Sequence, residues 1–360
     1  MKCISNLDRI NYPSDLVYDL TRLYTFKGKD FHYEDVLKQY MNQIIKSTIE
    51  KDTVEACKIL NLKIPDNRLK LIVKKNAEPK TKHERIAKNL KNVFQIVQQK
   101  GTELEITDNE FLQLGSKIFK DVHRVSYASD TVVEMNNMFE EKKQVSRRDM
   151  MKKELTYYLN ARMQKKVEAT QVITNLYVDL LNMKCFDIGN DFISLMICYC
   201  CLFSERFNVF KYISFFELYY KNIEDFKEKE AESSYGWESG FAKTASLNKL
   251  IIKILLDGYN KVESMVSDLE IDKKLRKVDN VESAIMKMGD VFSREDIKNK
   301  VPNLSDSTIT RALTKLRDEG KIRPDGTGRS AKWIRLVPDE TFSGGVMQMD
   351  IFSFIKQGED

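Results

Sequence analysis

Apolar residues recur at three- and four-residue spacing along most of the chain, a pattern that predicts a mainly α-helical protein. The clearest pair of helices lies near the middle. Val172, Ile173, Leu176, Tyr177, Leu180 and Leu181 mark the first. Residues 192–203 are apolar nearly all round, so the second is expected to be buried on most sides. At twelve residues it is too short to span a bilayer, and no membrane partner is expected. A further amphipathic helix is predicted over 247–266. Between the central pair lies 184–192, Lys184-Cys185-Phe186-Asp187-Ile188-Gly189-Asn190-Asp191-Phe192. A Gly-Asn pair ahead of a helix can turn free backbone N–H groups and the positive helix end toward an anion, as a phosphate-binding loop does. Asp191 reads as the N-cap of the following helix, and Lys184 as a solvated lysine ending the preceding one.

The pattern changes toward the C-terminus. A short amphipathic helix is predicted over 281–288, then an extended step over 290–293. Ser293 caps a helix over 294–300 with Glu295 in its first turn, and Pro302 ends it. Ser305 caps the next helix, which runs to Asp318 before Gly320. Residues 321–323 and 331–336 read as two strands around the loop 324–330. That order belongs to a winged helix-turn-helix. Ile309, Ala312, Leu313 and Leu316 form the inner face of its last helix. Ser307, Thr308, Arg311 and Lys315 lie on the outer or flanking faces, with Arg323, Arg329 and Lys332 on the wing.

Charge sharpens this division. Residues 271–337 hold sixteen Lys and Arg against ten Asp and Glu, a net +6, while the whole chain carries +5. The basic excess therefore sits in this segment, where it would neutralise DNA phosphates, with Ser307, Thr308 and Arg311 in reach of base edges. Winged helices also dock proteins, so a protein partner, including a second copy of the chain, stands as the alternative. A second basic stretch, 68–91 around Pro79, is expected to be a solvated linker and helix face.

Composition adds less. Fourteen Gly and six Pro in 360 residues leave few long loops. Cys198, Cys200 and Cys201 read as small buried apolar residues, and no metal site is expected. Six cysteines and no secretory segment at the start predict a reduced, cytoplasmic protein. The expected layout is a helical N-terminal region (1–79), a helical core (80–270), the winged helix (271–337) and a tail (338–360). Phe342, Met347, Ile351, Phe352 and Phe354 make that tail apolar enough to dock back or onto a partner.

The central loop and its surroundings resemble the Fic (Fido) family, whose signature reads His-Pro-Phe-x-Asp/Glu-Gly-Asn-Gly-Arg before an apolar helix. Phe186, Gly189 and Asn190 set the register, followed by Tyr212-Ile213-Ser214, Tyr219-Tyr220 and Gly236-Trp237. The resemblance covers roughly 81–266 and implies a Fido-type helical bundle, often followed in the family by a winged helix. It also implies transfer of a nucleotidyl group, usually AMP, from ATP with Mg²⁺ onto a protein hydroxyl. Carried over by position, the family's general base falls on Lys184, its metal-binding acid on Ile188, its second glycine on Asp191 and its arginine on Phe192.

Those four replacements predict a degenerate site. A lysine ammonium has no free electron pair to take a proton, and isoleucine cannot hold a metal. Asp191 puts a negative charge where phosphates would lie, Phe192 reads as core packing, and Asp187 stands one residue away from the acid position. Phe186, Gly189 and Asn190 would be what remains of nucleotide binding. Catalytic residues and cofactors are accordingly not expected, with ATP and Mg²⁺ bound only if the loop is competent. Residues 46–51 resemble the family's inhibitory helix, with Glu50 at the position of its glutamate. Between 123–127 and the next helix little room is expected for the hairpin that grips target peptides in the family. The expected function is DNA binding or regulation through the winged helix. The alternatives are protein AMPylation with Lys184 or Asp187 as altered catalytic groups, and a protein-interaction scaffold.

Overall fold

The helical periodicity is realised almost without interruption. In the computed structural model, residues 3–9, 13–134, 143–302, 304–326 and 332–336 are described, and the chain divides into two units, Met1–Val266 and Ser267–Asp360. The apolar tail and Arg329 lie outside the described residues. Among those residues, no helix is long and apolar enough to cross a membrane.

The first unit opens with a 3-10 turn at Ile4–Arg9, then α1 (Ser14–Lys27), α2 (Asp30–Leu37), α3 (Met41–Ile59), α4 (Asp66–Lys75), α5 (Lys82–Lys100) and α6 (Asp108–Ile118). An antiparallel hairpin follows, β1 (Thr131–Glu134) and β2 (Lys143–Ser146), with Thr131 opposite Ser146. Then come α7 (Arg147–Gln164), α8 (Ala169–Met183), α9 (Asn190–Ser204), α10 (Val209–Tyr212), α11 (Phe215–Lys221) and α12 (Ile223–Ser234). Helix α13 (Ala245–Met286) starts in the first unit and ends in the second.

The core forms around α8 and α9. Thirteen of the fifteen residues of α9 are buried, as its continuous apolar run requires. Each large side chain so removed from water contributes about 1.5–3 kcal/mol of favourable transfer free energy. Tyr199 of α9 sits among Phe94, Phe203, Phe215 and Phe216, with ring centroids 5.0–6.2 Å away. Against the other side of α8, a closed polar network replaces apolar packing. Gln171 Nε2 donates to Thr244 Oγ1 (2.9 Å), Asn248 Nδ2 donates to Gln171 Oε1 (3.0 Å), and Thr174 Oγ1 donates to Asn248 Oδ1 (3.0 Å). Such a network fixes the register of α8 against its neighbour more sharply than apolar contacts alone.

Three expectations are corrected here. The hairpin β1–β2 exists in the segment where little room was expected for one. Its strands have only four residues each, too few for a visible alternation. The predicted helices 247–266 and 281–288 are parts of the single helix α13, because 267–280 contain neither Gly nor Pro to end it. The basic stretch 68–91 is solvated at Lys74, Lys75, Lys80 and Lys82, as expected, but not throughout. Lys91 is buried and its ammonium donates to Val73 O and to Asn76 Oδ1 (2.6 Å) at the end of α4. Glu84, also buried, accepts from Arg68 Nη2 at 2.8 Å, so this region is a packed α4–α5 contact.

In the second unit, β3 (Val291–Phe292), α14 (Arg294–Lys300), α15 (Asp306–Asp318), β4 (Ile322–Asp325) and β5 (Lys332–Arg335) follow α13. The sheet order is β3-β5-β4, all antiparallel, with Phe292 opposite Trp333 and Arg323 opposite Ile334. Its core joins Val281 and Ile285 of α13 to Phe292, Ile297, Ile309, Ala312, Leu313, Leu316 and Ile322. Ser293 caps α14 in a reciprocal capping box with Asp296, the residue after the expected Glu295. Arg335 donates to Met286 O and to Asp290 Oδ1 (3.0 Å), fastening the central strand to the end of α13.

Candidate functional site

Helix α8 ends at Lys184, whose backbone is left-handed (φ 49°) and whose side chain is solvated, as expected for a helix-end lysine. The chain then turns inward. Cys185 and Phe186 are buried, and this segment pairs with 126–128 as an antiparallel bridge between Tyr127 and Phe186. Ala128 N donates to Cys185 O (2.9 Å), Asp187 N donates to Ser126 O (3.1 Å), and the Tyr127 and Phe186 rings stack at 5.5 Å. Phe186 is thus part of the wall of the loop, occupied by its own neighbour.

Asp187 is engaged by Ser126. Its carboxylate accepts from Ser126 N (2.9 Å) and Ser126 Oγ (2.6 Å). Burial alone would raise its pKa, but the Ser126 hydrogen bonds and local backbone N–H groups outweigh it and hold the carboxyl below the ordinary value. Arg147, at the start of α7, ties the loop to the hairpin. It donates to Met183 O at the end of α8 and forms a two-pronged ion pair with Asp130, just before β1.

Gly189 is the N-cap of α9, with φ 67°, a region that L side chains rarely adopt. A Cβ there would lie 2.7 Å from the Phe119 ring, so two independent constraints demand glycine. Asp191 was expected to cap the helix but lies inside its first turn, because the left-handed Gly189 has already started it. Asp191 Oδ1 is 3.5 Å from Lys184 Nζ. Asn190 is folded back and nine-tenths buried. Its Oδ1 accepts from Phe186 N (3.2 Å), and its Nδ2 donates to Leu180 O (3.3 Å) and Asp191 Oδ1 (3.3 Å). Phe192 is buried 5.9 Å from the Phe216 ring, with its side chain in the core.

These residues do not fit ATP and Mg²⁺. Asn190 spends its amide on the loop itself, Asp187 is committed to Ser126, and Ile188 offers no oxygen. Among the described residues no group of three His, Cys, Asp or Glu could hold a metal ion. Glu50 shows no contact with this loop among the described residues and lies on the face of α3 opposite Thr48 and Asp52. Thr48 and Asp52 of α3 face Tyr212, Ser214 and Phe216, while Glu50 feels the charge of Lys91 on α5.

Asp52 and Asp179 were not singled out by sequence, although each is an acid on an apolar helix face. Asp52 is fully buried, accepts from Ser214 Oγ (2.6 Å) and Phe216 N (3.1 Å), and is pushed up to about 7 by burial. Asp179 accepts from Cys3 N (3.0 Å), Ile4 N (2.9 Å) and Trp237 Nε1 (2.7 Å), and burial raises its pKa. Both carboxylates join distant segments.

In the second unit, Ser305 caps α15 by accepting from Thr308 N. The hydroxyls of Ser307 and Thr308 both lie 2.9 Å from Ser305 Oγ, a cluster at the positive end of the helix. Arg311 is exposed one turn further along, and Arg323 and Lys332 are exposed on β4 and β5. Lys315 differs from the other expected contacts. Its ammonium lies 3.3 Å from Glu282 and 3.7 Å from Asp279, both on α13.

A helical bundle with a short loop between two central helices and a hairpin beside that loop, followed in the chain by a small α/β unit, defines a Fic-type fold. Two solved structures carry the statement. A Fic family protein from Desulfovibrio desulfuricans G20 matches 91% of this chain and 98% of its own, with TM-score 0.54 and 11% identity. A Fic domain containing signaling protein from Bacteroides thetaiotaomicron VPI-5482 matches 70% of this chain and 97% of its own, with TM-score 0.50 and 12% identity. No family model matches the chain, and no curated protein matches it. The likeness is therefore one of fold.

Proposed function

We propose that this chain is a degenerate member of the Fic family that has lost nucleotidyl transfer and binds double-stranded DNA through its second unit. The observation that carries the reading is the exposed face of α15. It presents a serine-capped positive end with Ser307 and Thr308, then Arg311, and the adjoining sheet presents Arg323 and Lys332. Helix, β3, α14, α15 and the β4–β5 hairpin follow the order of a winged helix-turn-helix, in which the last helix enters the major groove. Arg323 and Lys332 then supply phosphate contacts, and Ser307, Thr308 and Arg311 lie where base edges are read.

Loss of transfer is supported by the contacts of the loop. The groups that would meet a nucleotide are replaced or turned inward, and Asp187, the one nearby carboxylate that could stand in for the metal acid, is held by Ser126. Two experiments test the reading. A polarisation titration with mixed-sequence duplex should give binding at low salt that weakens in Arg311→Ala and Arg323→Ala. Incubation with labelled ATP and Mg²⁺ should give no labelling of this chain or of added protein. Labelling abolished by Lys184→Ala and Asp187→Ala would overturn the loss of transfer.

A further inference from the structure

We infer that Glu282 is a counterion lock that withholds Lys315 and Lys321 from the DNA backbone. The inference rests on the DNA-binding reading above and concerns how that same surface is restrained. Lys315 lies one turn beyond Arg311 on α15, and Lys321 directly precedes β4, which carries Arg323. By position both belong to the edge of the proposed DNA face.

Both ammonium groups are directed at one carboxylate instead. Glu282 Oε1 accepts from Lys321 Nζ at 2.7 Å and Oε2 from Lys315 Nζ at 3.3 Å. Glu282 is 8% exposed, so its charge is poorly served by water and depends on these two partners. Burial alone would raise the Glu282 pKa, yet hydrogen bonds from Lys321 and Lys315 hold it below the ordinary value. Glu319 adds contacts of 2.9 Å to Lys321 and 3.9 Å to Lys315, and Asp279 lies 3.7 Å from Lys315. Of these three carboxylates only Glu282 is buried; Glu319 and Asp279 are solvated and hold their lysines weakly, so Glu282 sets the restraint on both ammonium groups.

The consequence is a division of labour along α15. Its N-terminal half offers hydroxyls and Arg311 to the DNA, while Lys315 in its C-terminal half and Lys321 just beyond it are neutralised internally. Sequence-independent attraction, which scales with the number of phosphates neutralised, is held down. Discrimination is left to the base-reading residues.

The test uses the full chain and a mixed-sequence duplex, reading the slope of log K against log salt for wild type, Glu282→Gln, Lys315→Met and the double variant. Each lysine released onto a phosphate steepens the slope by about 0.9, so Glu282→Gln should be steeper than wild type by about 0.9–1.8. Lys315→Met alone should leave the wild-type slope unchanged and, combined with Glu282→Gln, should remove about 0.9 of the gain. A folded Glu282→Gln with the wild-type slope overturns the lock. So does a flattening of about 0.9 in Lys315→Met alone, which would place Lys315 on a phosphate already. That second arm decides the matter if Glu282→Gln fails to fold. Where wild type binds but these slopes fail, the lock alone falls. Where neither wild type nor Glu282→Gln binds at low salt, the DNA reading falls and the lock with it. Binding by Glu282→Gln only would support the lock.

Discussion

Two helix N-termini in this protein have opposite fates. At α9 the positive helix end follows a glycine in a left-handed turn, as an anion site requires, and no side chain caps it, yet the side chains around it turn to the protein's own groups. Asn190 folds back onto Phe186 and Leu180, Asp191 faces Lys184, and the Phe119 ring stands where a Cβ of residue 189 would be. At α15 a serine caps the helix and two further hydroxyls and an arginine continue outward from it. Both helix starts carry a row of backbone N–H groups, but the side chains around α9 are spent on loop and core contacts, whereas those at the start of α15 face outward. Side chains decide between the two.

The comparison can be broken most severely at Gly189. Gly189→Ala combines a positive φ with a clash against Phe119, and should lower stability by about 3–4 kcal/mol in denaturant unfolding. A loss below about 1 kcal/mol would mean that the α9 start is loose rather than packed.

Asp52 sharpens the same point from behind α9, where it faces Ser214, Phe216 and Tyr199. Its carboxyl is raised by burial from an ordinary 3.8 to about 7 in the folded chain. The folded state therefore holds a proton that the unfolded state has released. This contribution is fully present below about pH 3.8 and is lost as pH rises through about 7. Asp52→Asn keeps an acceptor for both donors, so it should be more stable than wild type at pH 8 by about 2–3 kcal/mol. The difference should vanish below pH 4, as thermal melts across pH will read. A wild type and variant that run parallel from pH 4 to 8 would refute the buried charge.

Smaller effects belong to the exposed ends. Ser305→Ala removes the α15 cap and should cost about 1 kcal/mol, measured by thermal unfolding, while leaving the loop of the first unit untouched. Lys184→Ala should change stability by less than about 0.5 kcal/mol, because its pair with Asp191 is solvent-exposed. A larger loss would make Lys184 a structural residue after all.

Much of this organisation was legible in the chain itself, for reasons that differ by element. The burial of α9 follows from its unbroken apolar run, and the inner face of α15 from Ile309, Ala312, Leu313 and Leu316. Caps at Ser293 and Ser305 were readable because their effect is local. Partners distant in sequence were not. Asn190 looks like a ligand until Phe186 and Leu180 are placed beside it, and Lys315 looks like a DNA contact until Glu282 is found 3.3 Å away. Asp191 reads as the cap of α9 because an acid just ahead of an apolar run suits that position, but the left-handed Gly189 takes it. The hairpin was hidden by strand length, and its anchor Arg147 by the distance in sequence to Met183. What a helix end does depends on such partners, so the fold was easier to read than the site.

The most direct test of the contrast is a polarisation titration of the full chain with a mixed-sequence duplex across a range of salt. The account predicts saturable binding at low salt, with log K falling linearly against log salt. It further predicts weaker binding in Arg311→Ala and unchanged binding in Lys184→Ala. Absence of binding at the lowest salt by both the folded protein and Glu282→Gln, or binding that survives Arg311→Ala, Arg323→Ala and Lys332→Ala together, would contradict it.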